Sequence, residues 1–306
     1  DYTNALSLMR LTEDLEQIVS PMLAAALLTV VTFPVLFGGT VAGFVASALL
    51  VVTVALPARA VDEPQGFWAG VTKGARIYLA TPRLRGLMVM EASVAAAGAM
   101  VYVNTVVLVQ ARLGLDAPQV ALAFAAFGAG SILAAVLLPR ILERFADRPV
   151  MIFGAGLMVA GVAVTSIAGS FATLLALWTL VGFGFSLTQT PIGRILNRSA
   201  RHEDRPAVFA AQFALSHAAW LVTYPLAGWV GSAFGLSAAA IVLAVIGAVA
   251  LVAVMTLWPS HDPQDIAHEH PDLPPDHPHL RDHMAGAHAH AFVIDAQHPR
   301  WPNRVA

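Results

Sequence analysis

Long apolar stretches, separated by short polar segments, run along most of the chain. An α-helix needs about 20 mostly apolar residues to cross a hydrocarbon core about 30 Å thick. Eight stretches meet this length, namely Leu15 to Phe33, Val35 to Leu56, Leu87 to Gln110, Val120 to Leu138, Val150 to Ala168, Phe171 to Ile195, Ala207 to Ala233 and Leu236 to Leu257. Lipid offers backbone amides no partner, and none of the stretches alternates as a barrel strand does. The pattern therefore predicts eight transmembrane helices and an all-α, polytopic membrane protein.

The composition agrees with this prediction and argues against a soluble enzyme. Of the 306 residues, 58% are hydrophobic and 12% are charged, whereas soluble domains average about 45–50% and about 25%. The net charge of -2 supplies no basic surface, so we expect no nucleic-acid partner. The chain contains no cysteine, nucleophile elbow or glycine-rich phosphate loop. We therefore expect neither an enzyme nor an ATP-driven pump.

The basic residues predict the orientation of the spans. Every second connection carries lysine or arginine, and the connections between these are short and, apart from Arg112, free of lysine and arginine. Cytoplasmic loops retain such residues, so we place the chain in the cell's inner (plasma) membrane with both ends in the cytoplasm. The basic positions are Arg10; Arg59, Lys73, Arg76, Arg83 and Arg85; Arg140, Arg144 and Arg148; Arg194, Arg198, Arg201 and Arg205; and Arg281, Arg300 and Arg304.

The longest interior connection, residues 57–85, divides the spans unequally. It includes an amphipathic run, FWAGVTKGARIYL, which we predict to lie on the inner membrane surface as a cytoplasmic linker. Two spans precede it within residues 1–56 and six follow within residues 86–258, with residues 259–306 as a separate tail. The unequal division leads us to expect four further spans before residue 1.

The connection between the fourth and fifth spans, Pro139 to Arg148 (PRILERFADR), resembles a cytoplasmic loop motif of the major facilitator superfamily. Glu143 stands at the acidic position of the motif, Arg144 at the basic position and Arg148 at the last position, whereas two glycines and one base are replaced. The resemblance implies that Glu143, Arg144 and Arg148 form a gating loop, whose ion pairs break and re-form as helix ends move. A plain solvated loop is the alternative.

Two proline-containing segments carry a second resemblance to this superfamily. SPMLAA (Ser20 to Ala25) and YPLAG (Tyr224 to Gly228) resemble a proline motif found in equivalent helices of the two halves. The resemblance implies a transporter of twelve helices in two bundles, of which this chain holds the last two helices of the first bundle and all six of the second. It also implies that these two helices are kinked and closely packed; ordinary helix packing is the alternative.

Glu91 lies inside the third predicted span, where a charge costs roughly 2.5–3.5 kcal/mol on insertion scales. Tyr102 and Thr105 share its helix face, so the three form a polar stripe. We predict that Glu91 couples solute movement to the proton gradient by taking up a proton on one side and releasing it on the other. The alternative is an interfacial Glu91 paired with Arg85 or Arg83.

Other polar residues inside the spans extend this prediction. His217 lies well inside the seventh span, and its ordinary pKa near 6.5 suits a proton relay, with a purely structural histidine as the alternative. Unwinding at Pro191 in the sixth span would expose carbonyl groups to a ligand. The predicted substrate cavity consists of Tyr102, Thr105, Gln189, Thr190, Gln212 and Ser216. Hydrogen bonding between helices explains these residues equally well.

The tail, residues 259–306, holds nine of the 11 histidines, interleaved with aspartates and prolines. The prolines predict a disordered, histidine-rich tail. In an extended chain an H-x-H pair points two imidazoles the same way, so several pairs would wrap one divalent Ni, Co, Zn or Cu ion. The predicted ligands are His268, His270, His277, His279, His288 and His290. A pH-responsive tail without metal is the alternative, and we expect no other cofactor.

The tail is similar in composition and placement to that of nickel-resistance permeases of the same superfamily. These resemblances imply a proton-coupled efflux permease that exports a small solute, with a divalent metal such as nickel as the favoured substrate. The alternatives are a drug or siderophore efflux permease and a membrane-anchored metal-binding or sensing protein that transports nothing. The expected partners are the lipid bilayer, the solute and protons; the sequence does not determine the oligomeric state.

Overall fold

The computed structural model describes residues 30–53, 67–268, 288–295 and 297–302, together with Leu23 and Leu27 as isolated positions. Its helices are α1 (Phe33–Thr53), α2 (Phe67–Ala80), α3 (Pro82–Val107), α4 (Ala117–Leu142), α5 (Asp147–Thr165), α6 (Phe171–Gln189), α7 (Ile192–Ser199), α8 (Arg205–Phe234) and α9 (Leu236–Leu257). A π-helical turn, Leu108–Arg112, follows α3. Two short strands, β1 (Asp265–His268) and β2 (His288–Ala291), complete the described part.

Seven helical segments of the described residues are long and apolar enough to cross a membrane. They match seven of the eight predicted spans, and the remaining one, Leu15 to Phe33, lies almost entirely outside the described residues. Large apolar side chains such as Leu133, Leu221 and Val249 are more than half exposed, as lipid-facing side chains would be. The chain is an all-α, polytopic membrane protein.

Helix α3 begins at Pro82, before the predicted start at Leu87 and inside the predicted linker. Proline suits the first turn of a helix because its φ angle is already helical and no N–H is missing there. The charge of Arg83 does not stop the helix, because this buried side chain lies 3.5 Å from a carboxylate oxygen of Asp262. With the π-helical turn, the segment forms one candidate span, Pro82–Arg112.

Helix α2 forms from the amphipathic run of the predicted linker. It packs against α8 and, less extensively, against α3. Its Ile77 and Tyr78 are fully buried, whereas Trp68 is 75% exposed. The apolar face of the run is thus buried against the helical bundle, and its location on the inner membrane surface stays a prediction.

Helix α3 is the central helix of the bundle: 72% of an 18-residue apolar stretch in the segment Pro82–Arg112 is buried. It packs on α8 and α9, while α4 and α5 both pack on α6. A Cβ on Gly130 of α4 would overlap the backbone of α6, and a Cβ on Gly182 of α6 would overlap the backbone of α4. Gly154 of α5 and Gly184 of α6 approach one another in the same way. Such backbone-to-backbone crossings are typical of small residues at transmembrane helix interfaces.

The described part of the tail, residues 259–268, 288–295 and 297–302, includes two short strands, and disorder of the tail as a whole stays a prediction. Strands β1 and β2 pair antiparallel. Ile266, Phe292 and Ile294 are buried in a hydrophobic cluster shared with Ile77 and Leu84 of the helices. These apolar residues lie between the histidines. The composition of the tail, which is dominated by histidine and proline, gives no indication of their burial.

Candidate functional site

A buried carboxylate lies where three helices of the bundle meet. Glu91 of α3 is 2% exposed. The Gln189 amide on α6 donates to both carboxylate oxygens, at 3.2 and 3.4 Å, and the Gln212 amide on α8 donates to one of them at 3.1 Å. The structure thus brings three of the predicted site residues into contact.

Tyr78 of α2 extends this polar network, and sequence analysis missed it. Its hydroxyl donates to the carbonyl oxygen of the Gln212 side chain. The two contacts fix the amide of Gln212, which turns its oxygen to Tyr78 and its nitrogen to Glu91. Burial, and then the nearby Glu91, raise the pKa of Tyr78 above its ordinary value, so its hydroxyl stays protonated. A chain of hydrogen bonds therefore runs from α2 through α8 to α3.

Gln189 is the last residue of α6, next to an interruption of the predicted sixth span. The helix breaks at Thr190 and Pro191 and resumes as α7 at Ile192. Proline lacks the N–H that would continue the helical ladder. The hydroxyls of Ser186 and Thr190 lie 3.3 Å apart beside the break. A bend at Pro191 would therefore move Gln189 relative to Glu91.

Tyr102 and Thr105, two other predicted cavity residues, lie apart from Glu91. Tyr102 and Thr105 are about 16 and 21 Å further along α3. The Tyr102 ring contacts Phe127 and Trp220, at centroid distances of 5.8 and 5.9 Å. Thr105 is fully buried and accepts a hydrogen bond of 2.8 Å from the Trp178 indole, so its hydroxyl joins α3 to α6.

Ser216 and His217 of α8 bond to their own helix. The Ser216 hydroxyl donates to the Phe213 carbonyl at 3.0 Å. The exposed ring of His217 is tilted by 30° against the Phe213 ring, with the ring centroids 3.9 Å apart, and its Nδ1 lies 2.8 Å from the same carbonyl. Five residues turn a helix by about 140°. His217 therefore lies on a different side of α8 from Gln212.

The predicted gating loop holds helix ends through one of its three residues. Glu143 and Arg144 are exposed at the end of α4. Arg148 donates to the backbone carbonyls of Trp258 and Met255, at 2.9 and 3.3 Å, at the end of α9. An ion pair of this loop joins Asp147 to Arg194 of α7. Asp147 stands where the motif has a base, so the motif gave no signal for this pair.

Asp262 forms a second charged cluster, which sequence analysis also missed. Its carboxylate lies 3.5 Å from Arg83 of α3 and 2.7 Å from Arg198 of α7, and it accepts a 3.2 Å bond from the Trp258 indole. The guanidinium of Arg83 also lies 4.9 Å from the centre of the Trp301 ring. Asp262 thus joins the beginning of α3 to α7 and to the tail.

A third cluster contains two of the predicted metal ligands together with a histidine not predicted. One ring nitrogen from each of His268, His290 and His298 lies within 4.8 Å of the others. The predicted ligands His270, His277 and His279 lie outside the described residues, as does the side chain of His288. His298 belongs to no H-x-H pair, so the pair pattern gave no signal for it.

Burial and charge shift the pKa values of two groups at this cluster, His268 and Asp295. Burial lowers the pKa of His268 below its ordinary value. Burial alone would raise the pKa of Asp295, but hydrogen bonds from His298 and the charges of His298 and Arg201 outweigh it and lower the pKa to about 2. Asp295 therefore stays ionised at neutral pH, bonded to the buried ring of His298.

The helices and the buried polar network define a class of protein, the polytopic membrane proteins whose helices enclose polar groups. The family model of the Major Facilitator Superfamily matches residues 87–282. This chain belongs to the Major Facilitator Superfamily, a family of secondary transporters, as the loop motif and the proline segments led us to expect. No curated protein matches the chain.

Proposed function

We propose that the chain is a proton-coupled efflux permease and that Glu91 is the group that binds the proton. The observation that carries the proposal is the burial of Glu91 between the amides of Gln189 and Gln212. Ionisable residues inside membrane spans are rare and mark proton or solute pathways. Membership in a family of secondary transporters supports such a role.

The hydrogen bonds suggest how proton binding would change the helices. An ionised carboxylate accepts at both oxygens, whereas a protonated one carries an O–H on one of them and accepts less there. Protonation of Glu91 would therefore weaken the bonds from Gln189, which ends α6 directly before the break at Pro191. Release of Gln189 would let α6 and α7 change their relative angle.

A divalent metal ion, such as nickel, or its chelate is the solute we propose. The support is the imidazole cluster of the tail, which lies beside the ends of α2, α3 and α7. The predicted orientation puts this end of the bundle in the cytoplasm, where a metal-binding tail would collect ions for export. The aromatic cluster of Tyr102, Phe127 and Trp220 favours a second candidate, an apolar organic solute such as a drug or a siderophore.

Everted membrane vesicles test the coupling. They are prepared from cells that produce the protein in its natural form. We expect accumulation of solute driven by an imposed pH gradient, and we expect Glu91→Gln to abolish the dependence on the gradient. Asp116→Asn is the matched control, since Asp116 is an exposed carboxylate before α4. Unchanged dependence on the gradient in Glu91→Gln would overturn the role of Glu91.

The same vesicles separate the substrate candidates. Accumulation of Ni²⁺ or Co²⁺ supports metal export, accumulation of organic dyes alone supports drug efflux, and no accumulation of either supports the sensing alternative. His217→Gln tests the other predicted proton-binding group. Because His217 is exposed and bonded to its own helix, we expect this variant to keep its dependence on the pH gradient.

A further inference from the structure

We propose that His268, His290 and His298 bind one divalent transition-metal ion and that the bound ion fastens the tail to the helical bundle. One ring nitrogen of each histidine lies within 4.8 Å of the other two. The proposal concerns the tail alone and does not rest on the transport of metal or on proton coupling.

The strand pairing explains why two of these rings meet. His290 of β2 lies opposite Ile266 of β1, and alternate residues of a strand point to the same face. His268 is therefore the diagonal neighbour of His290 across the two strands, within reach of its side chain. Their ring centroids lie 4.7 Å apart. His298, from the segment after β2, adds its ring at 4.9 and 5.2 Å from the two.

An oxygen atom lies against the Nδ1 atom of every ring. The Ile266 carbonyl is 2.8 Å from His268, the Ala291 carbonyl is 3.0 Å from His290, and the Asp295 carboxylate is 2.9 Å from His298. A neutral imidazole has a single N–H, so these acceptors favour Nδ1 as the protonated nitrogen, and an ion would bind at Nε2. Metal-binding histidines are held by the same kind of second contact.

Two of the Nε2 atoms face each other closely, at 3.0 Å between His268 and His298. An ion placed between these two nitrogens would accept a lone pair from each ring. In a tetrahedral site with metal–nitrogen bonds of about 2.0–2.1 Å, two ligand nitrogens lie about 3.4 Å apart. A small increase in the distance between the two nitrogens would therefore make room for an ion.

The ligand set indicates the class of ion and its link to the bundle. Imidazole nitrogens suit Zn²⁺, Ni²⁺, Co²⁺ and Cu²⁺, and three protein ligands leave a coordination position open for water. The carboxylate of Asp295, which bonds to His298, also lies 2.5 Å from the guanidinium of Arg201, between α7 and α8. The ion, His298, Asp295 and Arg201 thus form one continuous connection from the tail to the helices.

Calorimetric titration of the full chain in detergent with ZnCl₂, NiCl₂ and CoCl₂ tests the site. The other tail histidines would bind metal too, so the reference protein carries glutamine at four histidines outside the described residues, His270, His277, His279 and His283. We expect this reference to keep one tightly bound ion. In it, His298→Gln should weaken the affinity by more than about 100-fold and Asp295→Asn by about 10–100-fold.

His261→Gln is the matched control, since His261 is an exposed histidine of the same tail and should leave the affinity unchanged. His298→Asp keeps a metal ligand and should restore part of the affinity, which separates ligand loss from misfolding. Hydrogen exchange supplies a second readout: the ion should protect residues 288–302 in the reference protein and not in His298→Gln.

Two results would overturn the proposal. One is loss of tight binding in the reference protein itself, which would assign the metal to the four replaced histidines. The other is an unchanged affinity in His298→Gln, which would leave only a proton shared between the rings of His268 and His298.

Discussion

Replacing Asp262 by asparagine removes the negative charge beside Arg83 with little change in volume. The Arg83 side chain is 1% exposed, and the Asp262 side chain is 13% exposed. Removing one partner of a buried ion pair costs about 3–5 kcal/mol because the other charge stays buried without compensation. Trp301 remains over the guanidinium and offsets part of this cost, by about 0.5–2 kcal/mol. Arg198 is 22% exposed and regains water, so we expect a net loss of about 3 kcal/mol.

Unfolding of the full chain in detergent, followed by tryptophan fluorescence, measures this loss. Asp265→Asn is the matched control, because Asp265 is exposed in β1 and should change the free energy of unfolding by less than about 0.5 kcal/mol. The double variant Asp262→Asn with Arg83→Met should have nearly the same free energy of unfolding as Arg83→Met alone, because the buried cation is absent from both. If the losses of the two single variants simply add, or if Asp262→Asn behaves like the control, the argument from the buried charge is wrong.

Three further predictions concern packing and pH. Trp178→Phe removes the buried indole bond to α3 and should lower the free energy of unfolding by about 1–3 kcal/mol, whereas Trp229→Phe, at a 60% exposed position, should have little effect. Gly182→Ala drives a Cβ into the backbone of α4 and should cost about 3 kcal/mol or more, whereas Gly156→Ala has room and should be neutral or stabilising. Asp295 has a lowered pKa of about 2, so its contribution is complete above its ordinary value of 3.8 and is lost as the pH falls towards 2. Hydrogen exchange of residues 288–302, corrected for the intrinsic effect of pH, should show loss of protection in this range; loss already at pH 5, or none at pH 2, would contradict this prediction.

The spans and the family could be predicted from the sequence because both depend on local patterns. Hydropathy marks a span wherever about 20 apolar residues follow one another, and the loop from Pro139 to Arg148 carries its motif in consecutive positions. The start of α3 could not be predicted in this way. Arg83 ends an apolar window in the sequence, while the carboxylate that permits its burial belongs to Asp262 in the tail.

The candidate sites were predicted in part for a related reason. Glu91, Gln189 and Gln212 each stand out as polar residues in apolar spans, but their meeting depends on how three helices are rotated, which hydropathy does not report. Tyr78 gives no signal of its own, because an amphipathic helix beside a membrane commonly carries tyrosine. His298 was missed because its neighbours in space, His268 and His290, are brought to it by the pairing of β1 with β2.

The glycine contacts between α4, α5 and α6 decide which parts of the bundle can shift during a transport cycle. Where backbones touch at Gly130 and Gly182, and again at Gly154 and Gly184, no side chain is available to change its rotamer and allow sliding. These three helices should therefore travel as one rigid body. Helices would shift relative to one another at interfaces lined by large side chains. One such interface is the contact of Trp220 on α8 with Gly98 on α3. Distances between spin labels on α4 and α6 should stay constant under conditions that change the distance from α3 to α8.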